Sequence, residues 1–278
     1  MLITGANSYV GTNVEKWLMR EPDKFYVETL DMQNPNWRDF DFSKFDVVFH
    51  VAGIAHVSTK KSMKNLYFQV NRDLTIETAK KSKESGVRQF IFMSSMIVYN
   101  SKETRITQNT MPNPDNFYGQ SKLQAEEGIQ TLQSDVFNVV ILRPPMVYGP
   151  ESKGNFKNLV KLSKYFLIYI DTHNIKSLLF IDNLVIYIEN LILRNLAGIY
   201  LISNNEMVST YTILKTIRLT KGKKTFSIYI PFWFSKILCK LKIFRKIYGD
   251  RYYDIEKGFN LKLISFEKTI EVTLNGKL

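Results

Sequence analysis

Cysteine is almost absent from this sequence. Cys239 is the single one, so no disulfide can form within the chain, and a reducing compartment fits that composition. Histidine is nearly as scarce: His50, His56 and His173 show no metal-ligand spacing, and no metal centre is expected. Long apolar runs are missing as well. The richest stretch, Phe226 to Cys239, is interrupted by Pro231 and Lys236, which argues against a membrane span. No signal-peptide-like segment opens the sequence, so a cytoplasmic location is the expectation. Internal repeats and low-complexity linkers are also lacking, which excludes a solenoid and favours lobes packed directly on one another. Acidic residues are outnumbered, thirty-eight Lys/Arg facing twenty-six Asp/Glu for a net charge of +12. The excess sits in the last quarter, where residues 211 to 278 hold fifteen Lys/Arg and five Asp/Glu.

What is present is a chain of 278 residues, 45% hydrophobic, long enough for one sizeable domain and a smaller lobe. Over the first 150 residues short apolar runs alternate with amphipathic stretches, the pattern of strand–helix–strand units around a parallel sheet. Strands are expected at Leu2 to Thr4, Tyr26 to Leu30, Val47 to Val51, Gln89 to Met93 and Val136 to Leu142. Helices are expected at Gly11 to Arg20, Asn71 to Ser85 and Tyr118 to Gln133, the first stopped near Pro22 and the second at Gly86. The fold class is therefore α/β, a doubly wound parallel sheet spanning 1–150 with a smaller C-terminal lobe in 151–278. A strand at Ser177 to Ile181 and a helix from Asp182 to about Asn195 are expected to return to the sheet, with a further strand at Gly198 to Ile202.

The opening segment MLITGANSYVG is a short strand followed at once by a glycine-bearing turn and a helix. Gly5 and Gly11 stand where a tight turn and a close strand-to-helix approach leave no room for a side chain. The backbone N–H groups around Ser8, Tyr9 and Val10 at the helix start can hold a pyrophosphate. Asp31 lies twenty residues after Gly11, at the end of the next strand, where a carboxylate can accept hydrogen bonds from an adenosine ribose and disfavours a 2′-phosphate. NAD is expected over NADP. A solvated strand-end carboxylate is the plainer reading of Asp31, and it stays open.

Tyr118 and Lys122, in NFYGQSK, are four apart at the start of a helix and share one face. Tyr211/Lys215 and Tyr253/Lys257 have the same spacing, but only the first pair follows a strand ending in serines, Phe92-Met93-Ser94-Ser95. Together with TGxxxxxG and Asp31, this ordered set resembles the extended short-chain dehydrogenases/reductases, the NAD-dependent epimerase/dehydratase family. Thr4, Gly5 and Gly11 match that family's TGxxGxxG, with Ser8 in place of the middle glycine. His50, Val51, Ala52 and Gly53 match the end of its third parallel strand, and Asn71 in VNRD matches a recurring asparagine. Enzymes of bacterial capsule and lipopolysaccharide nucleotide-sugar metabolism, UDP-glucose 4-epimerase-like proteins among them, are the nearest resemblance.

The resemblance implies a Rossmann-type fold and a polysaccharide-biosynthesis oxidoreductase or isomerase. The expected catalytic set is Ser95, Tyr118 and Lys122. Tyrosine ordinarily titrates near ~10, and an adjacent ammonium with a positive nicotinamide favours its phenolate as base. Cofactor contacts are implied for Gly5, Ser8, Tyr9, Val10, Gly11, Asp31, Ala52, Gly53, Asn71, Tyr118, Lys122 and Pro145. Substrate contacts are implied for Ser95, His56, Asn155, Phe156 and Lys176. The last stands where an arginine clamps phosphate and keeps the charge without the bidentate fork. Where dehydratases carry Asp-Glu after the catalytic Ser/Thr, this chain has Met96 and Ile97, which cannot move a proton. That leaves 4-epimerisation of a nucleotide-diphosphate sugar, UDP-linked first, or NAD(P)H-dependent reduction of a 4-keto sugar. A non-catalytic sensor or scaffold that keeps the cofactor is the rival from another class.

Lys236 to Arg251 alternates Lys/Arg with Ile, Leu, Phe and Tyr, as an amphipathic helix would. A solvated basic face, substrate steering and peripheral contact with an anionic membrane remain open, and no stacking motif favours nucleic acid. By family analogy the helices Asn71 to Ser85 and Tyr118 to Gln133 form a homodimer contact.

Overall fold

The computed structural model describes residues 1–55, 61–152, 154–231, 235, 237–255 and 259–276. They fall into two compact units. The first comprises Met1–Ser101, Met111–Pro144 and Leu184–Ile202, and the second Lys102–Thr110, Pro145–Asn183 and Ser203–Leu278. Among the described residues no helix is long and apolar enough to cross a membrane.

The first unit is built on six parallel strands in the order Gly198–Leu201, Asn138–Arg143, Gln89–Met93, Val47–His50, Leu2–Thr4, Glu28–Leu30. Leu2, Ile3, Val48, Phe49, Phe90, Ile91 and Val140 are all fully buried, which explains why these strands read as unbroken apolar runs rather than as alternations. The first strand has the second on one side and the third on the other, so strand order reverses there. A crevice beyond the strand ends at such a reversal is where doubly wound sheets hold ligands.

Three helices of this unit carry the site. Tyr9–Leu18 is capped by Ser8, whose side chain accepts the Gly11 N–H, and buries Val14 and Leu18 one turn apart. Leu74–Glu84 follows a π turn at Gln69–Asp73. Its buried face is unusually polar because Thr75, Thr78 and Ser82 each return a hydroxyl hydrogen bond to the carbonyl four residues back, at 2.9, 2.6 and 2.7 Å. Phe117–Gln130 is capped by Asn116, which accepts the Gly119 N–H at 2.9 Å, and buries Ser121, Lys122, Ala125, Glu126 and Ile129.

A buried ion pair sets the place of that last helix. The Arg143 guanidinium, at the end of its strand, reaches Glu126 through Nε at 3.1 Å and Nη2 at 2.5 Å, and donates from Nη1 to the Tyr99 hydroxyl at 2.8 Å. Ser94 donates its hydroxyl to the same carboxylate. Both charges are almost fully excluded from solvent. Burying them is tolerable only because nearly every lone pair and proton is used.

In the second unit Met146–Tyr148 pairs with Leu178–Phe180, Ile168–Asp171 with Phe226–Tyr229, and Arg105–Ile106 with Tyr252–Tyr253, all parallel. Tyr148 is its centre. The ring stacks on Phe156 at 4.5 Å, and the hydroxyl meets Thr269 Oγ1 at 2.5 Å and Asn204 Nδ2 at 3.1 Å.

Two expectations are corrected here. The strand near residue 178 does not return to the large sheet: Leu178–Phe180 pairs within the second unit, and Gly198–Leu201 takes the place beside Asn138–Arg143. A three-residue apolar run reads as buried in either setting, so periodicity could not assign its partner. Nor does Lys236 to Arg251 form one helix. Its described residues turn at Cys239–Lys240 before the helix Lys242–Tyr248, which ends at Gly249.

Replacing Arg143 by Met leaves the Glu126 carboxylate buried without its cation, and the loss expected is about 3–5 kcal/mol. Urea denaturation should show the double variant Arg143→Met/Glu126→Gln recovering much of that loss.

Candidate functional site

At the reversal of strand order the ends of two strands are pinned by a histidine. His50 has Nδ1 2.7 Å from Thr4 Oγ1 and Nε2 3.1 Å from Thr75 Oγ1. Burial, aided by the Lys122 charge, pushes its pKa down to about 3, so the imidazole stays neutral. It ties the first strand, the third strand and a helix together beneath the glycine turn.

That turn has little room. Gly5 has φ +111°, and a Cβ there would stand 2.7 Å from the Ala52 nitrogen. The Gly5 and Ala6 N–H groups both donate to the Leu30 carbonyl, at 2.9 and 3.2 Å, binding the turn to the end of the second strand. Asp31 follows directly, exposed, with Oδ1 accepting the Gln33 N–H at 2.9 Å. Tyr9 and Val10 open the helix and are half-buried. Ser8 does more than replace a glycine. Its Oγ accepts the Gly11 N–H at 3.1 Å, which takes one of the free donors of the helix start, while its own proton can still be donated to a phosphate.

On the other side of the crevice Asn71 holds the chain after the third strand. Its Oδ1 accepts the Ile54 N–H at 2.8 Å, and its Nδ2 donates to the Ile54 carbonyl at 3.1 Å and to Ser121 Oγ at 3.2 Å. Gly53 lies between, and a Cβ on it would come 3.3 Å from Lys122 Nζ. Lys122 is buried. Its ammonium donates to the Met93 carbonyl at 2.9 Å and sits 4.6 Å above the centre of the Phe92 ring. Burial lowers its pKa to about 8, with Glu126 opposing.

Ser95 stands close enough to Tyr118 to act on its phenol, and Tyr67 lies with its ring 5.9 Å from that of Tyr118. Burial raises the Tyr118 pKa to about 12, Tyr67 adds to the rise, and Ser95 opposes it. Ser95 also accepts the Ile97 N–H at 3.3 Å, which fixes the turn after its strand. The Lys122 ammonium, expected to depress this phenol, is instead spent on Met93.

The first unit thus brings together Gly5, Ser8, Tyr9, Val10, Gly11, Asp31, Ala52, Gly53, Asn71, Ser95, Tyr118 and Lys122. Pro145, Asn155, Phe156 and Lys176 belong to the second unit. Pro145 is buried, and Asn155 is exposed at the first position of its helix. Phe156 is buried, with its ring stacked on that of Tyr148. Lys176 is half-buried, with Nζ 3.4 Å from the Lys246 carbonyl, and burial brings its pKa to about 8. His56 lies outside the described residues.

Sequence reasoning missed Glu126, Tyr67 and Thr75. Glu126 was detectable as the residue one helical turn beyond Lys122. Its partner Arg143 comes from a separate strand, and no local spacing signals that pairing.

The profile of the NAD dependent epimerase/dehydratase family matches residues 1–167. The chain belongs to that family. UDP-glucose 4-epimerase of Vibrio cholerae is 32% identical over 288 residues, spanning 92% of this chain and 87% of that protein. The N-acetyl-alpha-D-glucosaminyl-diphospho-ditrans,octacis-undecaprenol 4-epimerase of Escherichia coli O157:H7 is 27% identical over 91% of this chain and 82% of its own length. In fold the chain is similar to UDP-glucuronic acid 4-epimerase from Bacillus cereus solved with NAD, at a TM-score of 0.75 and 19% identity, covering 99% and 94% of the two chains.

As a member of the NAD dependent epimerase/dehydratase family the protein is an enzyme with a nicotinamide cofactor, and its residues fit that group. Gly5 leaves no space for a side chain against Ala52, and Asp31 presents an exposed carboxylate where the neighbouring strand ends.

Gly5→Ala should lower NADH affinity at least tenfold by fluorescence titration and cost about 1–3 kcal/mol of stability, through strain at a positive φ. A second expectation concerns Lys122. Its folded pKa is lowered from 10.5 to about 8, so the penalty of the buried ammonium is fully present below pH 8 and is relieved as pH rises toward 10.5. Thermal unfolding of wild type and Lys122→Met should therefore show wild type gaining on the variant across that window.

Proposed function

We propose that this enzyme is an NAD-dependent nucleotide-sugar 4-epimerase, acting on a UDP-linked sugar. Ser95 beside Tyr118, with buried Lys122 one turn further along the same helix and held on the Met93 carbonyl, is the observation that supports it. The printed activities of the Vibrio cholerae and Escherichia coli relatives, both 4-epimerases, support the same reading.

In this reading Tyr118 takes the proton of the sugar 4-hydroxyl and returns it, and Ser95 donates to the reacting oxygen and keeps it in line with the phenol. When bound, NAD takes up and gives back the hydride at the sugar carbon and brings a positive charge toward the phenol. Lys122 holds the helix against the strand end through the Met93 carbonyl. Gly5, Ser8, Tyr9, Val10, Gly11, Ala52 and Gly53 line the dinucleotide, Asp31 accepts from its ribose, and Asn71 keeps Ile54 in place beside it. Pro145 borders the cofactor. Asn155 and Lys176 serve the substrate diphosphate.

Met96 and Ile97 argue against elimination of water. Met96 is buried in the turn Met96–Val98 and gives its N–H to the Pro144 carbonyl at 2.8 Å, and neither Met96 nor Ile97 can carry a proton.

The test is to incubate the purified protein, without added cofactor, with UDP-glucose, UDP-N-acetylglucosamine and their C4 epimers, and to follow products by NMR. Interconversion at C4 is expected, with a loss of at least a thousandfold in Tyr118→Phe. Consumption of added NAD(P)H with a 4-keto sugar, and no interconversion, would make the enzyme a reductase instead.

A further inference from the structure

In the two-stranded ribbon of the second unit every residue of Phe226–Tyr229 is exposed. Tyr169 is buried and donates its hydroxyl to the Phe166 carbonyl at 2.7 Å. Register pairs Ile168 with Phe226 and Ile170 with Ile228, so these four side chains share the opposite face. There Ile168, Phe226 and Ile228 are 52%, 55% and 57% exposed, and Ile170 is half-buried. Tyr165, Phe166 and Leu167, just before the first strand, are exposed too. Single exposed apolar residues need no explanation, but a contiguous aromatic and aliphatic face does.

Charge around this face is mainly basic, with Asp171 at the far end of the first strand. Residues 152–170 contain four Lys and no Asp or Glu, and residues 207–249 contain ten Lys/Arg and no Asp or Glu. Because the strands are parallel, Lys164 ahead of Ile168 and Lys221, Lys223 and Lys224 ahead of Phe226 gather at the same end of the ribbon. Their proximity is felt electrostatically: the Lys221 ammonium is held below its usual range by burial and by the charges of Lys164 and Lys223. A second copy packed with its ribbon parallel to the first would oppose lysine to lysine. Nucleic acid would match the charge but leave the isoleucines unused.

The geometry points to a docking surface for an anionic lipid bilayer, in which Ile168, Phe226 and Ile228 enter the headgroup–acyl boundary and the lysines at the ribbon end meet lipid phosphates. Apolar insertion and juxtaposed basic charge are the two terms that hold proteins at such interfaces, and neither suffices singly. The surface lies wholly in the second unit and is independent of the epimerase reading. Failure of either leaves the other standing.

The experiment is co-sedimentation of the full chain with vesicles of phosphatidylcholine alone and of phosphatidylcholine with phosphatidylglycerol in equal parts. Binding is expected to the anionic vesicles only, weakening with salt, and falling about fivefold for each of Lys221, Lys223 and Lys224 changed to Gln. Phe226→Trp keeps the face apolar and provides a second readout, an added emission that moves to shorter wavelength when anionic vesicles are present. Absence of sedimentation with anionic vesicles, or an unmoved Phe226→Trp emission, overturns the proposal. So does self-association on gel filtration that Phe226→Ser/Ile228→Ser abolishes, or binding to duplex DNA, in a protein that leaves vesicles alone.

Discussion

The buried ammonium of Lys122 constrains everything around it. With Nζ on the Met93 carbonyl and above the Phe92 ring, it fixes the Phe117–Gln130 helix to the end of the Gln89–Met93 strand. That attachment puts Tyr118, one turn earlier, against Ser95, two residues beyond Met93. The same burial that lowers the lysine pKa to about 8 raises that of the tyrosine to about 12, so in the protein alone the pair stays largely ammonium and phenol at neutrality. Glu126 and Arg143 then secure the helix one turn further on, with Ser94 on the same carboxylate. The proton handling proposed for Tyr118 therefore rests on a chain of buried polar contacts, each costly if left unpaired.

Much of this was readable from spacing. The strand Gln89–Met93 was located to the residue, and Leu2–Thr4 likewise, because fully buried parallel strands give continuous apolar runs bounded by polar turns. The Tyr118 helix was found from the Tyr/Lys interval, although its buried face carries Ser121, Lys122 and Glu126 and shows little hydrophobic contrast. What escaped depended on partners distant in sequence. The Glu126–Arg143 pair, the double tether of His50 and the use of Lys122 on a carbonyl rather than on the phenol require knowing which strand lies beside which. The short strand Leu178–Phe180 was misjudged for the same reason.

Ser8 illustrates how a departure from a family pattern can be absorbed. A glycine at that position would leave the helix start with all its donors, whereas Ser8 covers the Gly11 N–H and adds a hydroxyl of its own. The second unit shows a different division of labour. Tyr148, Phe156 and Asn204 make a closed core, while the ribbon of Ile168–Asp171 and Phe226–Tyr229 leaves apolar and basic groups outside it. Part of the charge excess visible in the sequence, Lys164, Lys221, Lys223 and Lys224, thus gathers at one end of that ribbon.

The most direct measurement is the fate of the hydrogen at C4. Incubated without added cofactor, UDP-glucose carrying deuterium at C4 should yield the C4 epimer with the deuterium retained at C4, since the proposed reaction lifts and returns the same hydride. An epimer that has exchanged its C4 deuterium for solvent hydrogen would contradict hydride transfer and the role assigned to Tyr118.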